Sequence, residues 1–299
     1  LKPEDHVLYE GDDEARKAHL KQEKRESLYE DINQLPYYFN GANFITDQSK
    51  QLFIYSMDTN ELKPLFDKDF SLGTMSLNDT KTRIYYTGKP KEGVMTFTTK
   101  VYQYDIKTDN HEVLYDQLDY SINKIIPLNN QLYVTAKDMK KYGLNENPDF
   151  YLLKDNQLTF VAKFSQAMHN TVGSDVRLLG SETDFIENDQ YYFVSTIDDH
   201  NELMVFDGSN QVRSVYQMDG SIDGVITLDN FYMMISLHKQ SLQELYTLTK
   251  TFDALNPLTT INKKALKDKY VAKPSTVTVQ KDHHEVKGFV LLPEDYDVS

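Results

Sequence analysis

The histidines of this sequence are the side chains most suited to binding a metal, but their spacing forms no motif. His283-His284 is the densest group and could suggest a pair of ligands. Adjacent residues on a strand point to opposite faces and no second ligand cluster lies nearby, so we interpret the pair as part of a turn. We predict no metal and no cofactor. The other histidines lack H-E-x-x-H spacing and are His6, His19, His111, His169, His200 and His238.

A serine nucleophile is equally hard to find. Gly220-Ser-Ile-Asp-Gly224 approaches the G-x-S-x-G pattern of a nucleophile elbow, but its serine stands one position too early. The chain has no cysteine, which removes cysteine nucleophiles, disulfides and zinc–thiolate sites. We therefore assign no catalytic residue to this chain.

Acidic groups in predicted connections suggest a binding hypothesis. Asp198-Asp199, and Glu182 with Asp184, could hold the ammonium group of a peptide through their carboxylates. Solvated turns are the competing interpretation, and the composition of such turns favours it. Asn78-Asp-Thr80 fits a glycosylation acceptor, yet its position favours a hairpin turn. The substrate-binding residues stay unassigned.

The elements that would position any site repeat along the chain. An apolar, aromatic-rich strand, a turn of Asp, Asn and Gly, and a second short strand occur five times, at intervals of 42 to 53 residues. Such a period is typical of the blades of a β-propeller. The first strand of each pair begins at Leu52, Val101, Phe150, Leu203 and Leu245.

Two further strand patterns precede each of the last four pairs. One is a β-branched or aromatic run such as Arg83–Thr87, Gln131–Thr135, Gln190–Ser195 or Phe231–Ser236, and it follows a turn rich in Asn and Asp. Before that turn lies another short run, which gives four strands per repeat. Between Leu35 and Leu52 there is room for little more than the start of a blade. We predict an all-β fold with five four-stranded blades, the first of them defective.

Composition narrows the classes of partner. A net charge of −14 and a pI near 5.0 disfavour nucleic acid, because binding its backbone requires a cationic surface. The 21 tyrosines and 15 phenylalanines lie within strand patterns, so we expect them in the core rather than in base-stacking platforms. The absence of cysteine fits a reducing compartment, and no apolar run suggests a membrane helix. We expect a cytoplasmic protein with no nucleic acid and no membrane partner.

The two ends of the chain differ from the repeats. Tyr9–Ile32 is dominated by charged, helix-favouring residues, and we predict a solvated helical insertion or linker over residues 1–33. After the propeller blades at residues 34–260, Ser275–Gln280 and Val286–Leu292 predict a hairpin around a polar turn.

Three stretches resemble a known family. Leu35–Gly41 with Gln51–Tyr55, Leu245–Thr249 with Asn256–Thr259, and Thr276–Val298 resemble the propeller, its last blade and the first strands of the catalytic domain in acylaminoacyl-peptidases of the prolyl oligopeptidase family. The resemblance implies a seven-bladed propeller of which this chain holds five blades. It also implies that residues 261–299 connect to an α/β-hydrolase domain, whose Ser-Asp-His triad lies downstream of Ser299.

Two functions follow as expectations. In the first, the chain is the non-catalytic propeller of a serine peptidase that hydrolyses short oligopeptides, N-acylated ones included, and it restricts access of substrate to the hydrolase domain. Its partners are then the peptide substrate and that domain, and the chain alone is inactive. In the second, it is a self-contained binding or scaffold propeller. An incomplete ring exposes apolar faces and strand edges, so we also expect self-association and a possible homo-oligomer.

Overall fold

A computed structural model describes residues 11–30, 32, 34–41, 43–44, 50–67, 69–172 and 182–297. His6 lies outside the described residues. Strands form most of the ordered structure, and no helix among the described residues is long and apolar enough to cross a membrane. The chain is therefore mostly β, as its repeat predicts.

The single long helix of the described residues is α1 (Asp13–Glu26), within the predicted charged insertion. Asp12 caps it, because its side chain accepts a hydrogen bond from the backbone N–H of Ala15 at 2.8 Å. Acidic residues in its first turn and basic residues in its last turn suit the helix dipole. No residue of α1 is buried, which confirms a solvated helix.

Four antiparallel sheets follow one another along the chain, each with four strands in sequence order. Sheet I contains β5 (Phe70–Leu77), β6 (Arg83–Pro90), β7 (Lys100–Asp105) and β8 (Asn110–Tyr115). Sheet II contains β9 (Tyr120–Leu128), β10 (Gln131–Asp138), β11 (Asp149–Lys154) and β12 (Gln157–Ala162). Sheet III contains β13 (Asp184–Glu187), β14 (Gln190–Ile197), β15 (His200–Phe206) and β16 (Val212–Gln217). Sheet IV contains β17 (Gly220–Thr227), β18 (Phe231–His238), β19 (Glu244–Thr249) and β20 (Leu255–Pro257).

Smaller sheets flank these four. Where the sequence predicts a defective first blade, the structure has two two-stranded sheets. The predicted C-terminal hairpin is also present, and every residue of its two strands is exposed. The strands are β1 (Tyr38–Phe39) with β2 (Asn43–Phe44), β3 (Phe53–Ser56) with β4 (Glu61–Pro64), and β21 (Ser275–Lys281) with β22 (His284–Val290).

Short turns of Asn and Asp set the register of these hairpins. Asn129 and Asn130 have φ values of 52° and 56°, and Asn188 and Asp189 have values of 50° and 56°. Asn and Asp tolerate this left-handed region better than other residues with a side chain, and two successive positive φ values are typical of the tightest hairpin turns. The sequence therefore specifies the turns as well as the strands.

Consecutive sheets pack face to face, which is how propeller blades bury their apolar sides. One buried cluster joins sheets II and III, where the rings of Phe150 and Phe206 stack with centroids 4.3 Å apart. Similar clusters join sheets I and II, and sheets III and IV. The tyrosines and phenylalanines at these faces are buried, as predicted.

We call the first strand of each sheet its inner strand, because these strands contact each other between consecutive sheets in two cases, β5 with β9 and β13 with β17. Three inner strands carry a bulge opposite their second strand, around Gly73 in β5, Asn123 in β9 and Asp223 in β17. Bulges redirect side chains and are frequent beside functional sites. We call the end of the sheets at which the inner strands begin the proximal end, and the opposite end the distal end.

Candidate functional site

The serine of the near-motif is part of the core. Ser221 lies on β17, is 3% exposed, and its hydroxyl donates to Asp223 at 3.4 Å. Gly220, just before it, has a φ of +142°. A Cβ at this glycine would lie 1.9 Å from the carbonyl oxygen of Leu237. The segment is thus a strand start in close backbone contact with β18, and it gives no exposed nucleophile.

The histidines lie apart from one another. His283 belongs to the turn between β21 and β22 with a φ of 68°, and His284 begins β22, so the predicted turn is confirmed. His111 contacts the hydroxyl of Tyr86 through Nδ1 at 2.8 Å. Burial lowers the pKa of His238, with Lys239 adding to the effect. No three potential metal-ligating side chains cluster among the described residues.

The predicted turn at Asn78-Asp-Thr80 is also present. The side-chain oxygen of Asn78 accepts the backbone N–H groups of Thr82 and Arg83, both at 2.9 Å. Its side-chain amide donates to Thr80 at 2.8 Å. Asn78 therefore serves to close the connection between β5 and β6.

The acidic residues of the binding hypothesis all lie near the proximal end, where two of them pair with lysines. Asp184 is 2.6 Å from Nζ of Lys124, which belongs to the inner strand of sheet II. Asp198 is 2.9 Å from Nζ of Lys287 on the C-terminal hairpin. The structure thus supplies both carboxylates with an ammonium from the chain itself, and Lys287 joins the hairpin to this end of the propeller sheets.

A cavity of about 270 Å³ opens between sheets II and III at the proximal end. Its wall includes Lys124 and Lys137 from sheet II, Asp184 and Tyr191 from sheet III, and His169 from the connection between the sheets. Burial raises the pKa of Tyr191 well above its ordinary value, and the negative charge of Asp184 raises it further. Tyr191 is therefore a neutral hydroxyl here. Sequence reasoning missed this cavity, because its residues come from separate repeats.

Thr135 forms part of the same wall. It is 1% exposed, and its Oγ1 has no hydrogen-bond partner in the described part of the chain. One pattern in the sequence could have indicated this residue: each predicted second-strand run ends in Thr or Ser, at Thr87, Thr135, Ser195 and Ser236. Most buried hydroxyls in proteins have a hydrogen-bond partner, so a buried hydroxyl without one indicates a group that a ligand could satisfy.

A buried network beside the cavity connects sheet IV with the segment between sheets II and III. Asp223, at the bulge of β17, accepts hydrogen bonds from Asn170 at 2.7 Å and from Gln243 at 2.6 Å. Asn170 also accepts the backbone N–H of Val172 at 2.8 Å. The proximal end is therefore held by polar contacts, whereas apolar contacts join the faces of the sheets.

No protein-family model and no curated protein matches this sequence. Solved structures do. An acylaminoacyl peptidase in complex with Z-Gly-Gly-Phe-chloromethyl ketone matches 90% of this chain with a TM-score of 0.60 and 16% identity. The acylaminoacyl peptidase of Pyrococcus horikoshii matches 89% of it with a TM-score of 0.60 and 16% identity. A puromycin-hydrolyzing peptidase of Mycobacterium tuberculosis matches 79% with a TM-score of 0.52 and 10% identity.

The chain shares its fold with part of these peptidases. It spans 40%, 39% and 36% of their respective lengths. These structural neighbours belong to the prolyl oligopeptidase family, so the resemblance noticed in the sequence is confirmed for the fold. TM-scores of 0.52 to 0.60 establish a shared fold, but identities of 10% to 16% do not transfer an activity, so activity has to be argued from the residues.

Proposed function

We propose that this chain is the non-catalytic propeller portion of a serine peptidase of the acylaminoacyl-peptidase type. The observation that carries the proposal is the extent of the match, nine tenths of this chain against two fifths of each acylaminoacyl peptidase. The described residues also offer no exposed serine in a nucleophile elbow. Catalysis would therefore come from an α/β-hydrolase domain that follows the hairpin β21–β22.

The role of the propeller in this proposal is steric. Packed sheets cover one side of the active site, so that short peptides reach the triad and folded proteins do not. The hydrolase domain would supply acyl transfer by a Ser-His-Asp mechanism. The exposed hairpin supports the arrangement, because a two-stranded hairpin with both faces in water is marginally stable until another element covers it.

The complete reading frame tests the proposal. We expect its product to react with a fluorophosphonate probe at a serine beyond residue 299, and to hydrolyse acetyl-alanine p-nitroanilide faster than it degrades casein. The 299-residue chain should neither react nor hydrolyse. Replacing the labelled serine by alanine in the full product is the control and should remove both activities.

Two results would contradict the proposal. One is inhibitor-sensitive hydrolysis by the 299 residues alone, which would place the chemistry within the propeller. The other is a full product that carries no probe-reactive serine, which would favour the self-contained binding propeller.

A further inference from the structure

Lys137 differs from Lys124 and Lys287, the two lysines at the proximal end that pair with carboxylates. Its ammonium donates a hydrogen bond to the backbone carbonyl of Leu144 at 3.1 Å and has no carboxylate partner among the described residues. Lys124 and Lys287 are paired with Asp184 and Asp198. The positive charge of Lys137 is therefore the uncompensated one of the three.

The cavity of about 270 Å³ brings this charge next to an unused hydroxyl. Thr135 and Lys137 are two residues apart on β10. Because residues two apart on a strand share a face, both side chains lie on the face of sheet II that meets sheet III. Thr135 is buried without a hydrogen-bond partner in the described residues. An unsatisfied hydroxyl and an ammonium without a carboxylate partner are two donors in one cavity wall that a single acceptor group could satisfy.

The chemistry of these donors selects the ligand. A carboxylate accepts hydrogen bonds on two oxygens and is attracted by an ammonium, so charge and hydrogen bonding act together. An ammonium ligand is disfavoured, since the carboxylate of Asp184 already lies 2.6 Å from Lys124. The volume is below the usual size of sites for drug-like ligands, which limits the guest to a terminal residue or one side chain.

We infer that this cavity binds a carboxylate group of a short peptide. The inference deepens the proposed function and rests on it for the identity of the ligand as a peptide. Selection by size alone would not distinguish peptides by charge. The inference adds a preference for peptides with a free carboxylate. Lys137 provides the charge, and Thr135 provides a hydrogen bond from the wall of the cavity.

Binding to the 299-residue chain tests this directly. Three probes are compared by NMR titration: acetyl-Ala-Ala-Ala as the free acid, the same peptide as its C-terminal amide, and acetyl-Ala-Glu-Ala amide. Because the chain carries a net charge of −14, the titrations use about 0.15 M salt, where the Debye length of about 8 Å screens distant carboxylates. We expect the free acid to bind about tenfold more tightly than its amide, as a charge-assisted hydrogen bond allows.

The variants separate the site from general charge effects. Lys137→Gln should abolish the preference for the acid, and Lys137→Arg should restore it. Lys140→Gln is the matched control, because Lys140 lies on the following turn and pairs with Asp119 at 3.2 Å. It should keep the preference. Thr135→Val should weaken binding of the acid, and melting temperatures verify that each variant is folded.

The outcomes are distinct. Tighter binding of either carboxylate-bearing peptide supports the inference, and the tighter of the two identifies a terminal or a side-chain carboxylate as the source. Equal affinity for all three probes would overturn it, as would an unchanged preference in Lys137→Gln. Serine labelling of the full product tests the proposed function separately, so failure here leaves that result unaffected.

Discussion

A buried hydroxyl lies at or within one residue of the end of the buried part of the second strand in each of the four large sheets, but its partners differ. Thr87 accepts the backbone N–H of Thr74 at 2.9 Å, and Ser195 donates to the carbonyl of Ala167 at 2.9 Å. Thr135 and Ser236 have no hydrogen-bond partner in the described residues. The same position is thus satisfied in two sheets, and in sheet II it faces the cavity that we propose as a carboxylate site.

This difference predicts opposite effects of one substitution. Thr135→Val removes a buried hydroxyl without a partner and should raise the free energy of unfolding by about 1 kcal/mol. Thr87→Val is the matched control and should lower it by about 1–2 kcal/mol, because the N–H of Thr74 loses its acceptor. Urea unfolding of both variants measures the two values. A destabilised Thr135→Val would mean that the hydroxyl has a partner within the protein.

Glu187 is the centre of a half-buried charge cluster at the distal end. Its carboxylate accepts hydrogen bonds from Lys250 at 2.5 Å and from Tyr232 at 2.9 Å, and it also contacts the hydroxyl of Thr227. Burial alone would raise the pKa of Glu187, but these hydrogen bonds outweigh it and lower the pKa below the ordinary 4.5. The ionised form therefore stabilises the contact between sheets III and IV.

Because the pKa of Glu187 is lowered in the folded protein, the free energy of unfolding depends on pH in a defined direction. Ionised Glu187 contributes stability above its unfolded pKa of about 4.5, and the contribution is lost as the pH falls through the lower folded pKa. Lys250→Met should cost about 1–3 kcal/mol at pH 7 and less near pH 3. Lys63→Met, which breaks the exposed pair with Asp109, is the control and should cost less than Lys250→Met at pH 7. Equal losses for Lys250→Met at both pH values would refute the assignment.

Single elements show what the sequence could and could not predict. The strands of the four large sheets agree with their predicted runs because alternation and paired Asn/Asp turns are local properties, as in the pair at Asn129-Asn130. The bulge at Asp223 and the pairing of Asp184 with Lys124 depend on contacts between distant repeats. A strand pattern contains no information about such pairings, and the cavity between sheets II and III was missed for that reason.

The start of β17 gives a test of backbone packing between strands. Gly220→Ala would place a Cβ 1.9 Å from the carbonyl of Leu237, and the φ of +142° adds backbone strain. Because the obstacle is backbone, we expect a loss of more than about 2 kcal/mol in the free energy of unfolding. Gly143→Ala is the control: its φ is also positive, at +66°, but nothing lies within 4 Å. It should cost about 1 kcal/mol. Similar losses for the two variants would contradict the close contact.

Over the whole molecule, the two ends of the sheets have different characters. The distal end carries the charge cluster of Glu187 and Lys250, which joins sheets III and IV and needs no ligand. The proximal end carries the bulges, the polar network of Asp223, the cavity beside Lys137 and the ion pair from Asp198 to the C-terminal hairpin. A hydrolase domain that followed the hairpin would therefore start from the end that holds the proposed carboxylate site.

The small sheet β3–β4 leads to a prediction about association. Phe53, Tyr55 and Leu62 lie on one face of β3–β4 and are 43%, 55% and 62% exposed, whereas Ile54 on the other face packs against the core of sheet I. An exposed apolar sheet face of this kind promotes association. We expect the 299-residue chain to self-associate through this face.

Light scattering coupled to size exclusion measures the effect. The average mass should exceed 34.8 kDa and rise with concentration. Leu62→Glu should shift the mass toward the monomer, because a charge in the apolar face must be desolvated when copies meet. Val113→Glu is the control, since it places the same charge at an exposed residue of the outer strand β8, and it should leave association unchanged. A monodisperse monomer at high concentration would show that the apolar face of β3–β4 is tolerated in water without a partner.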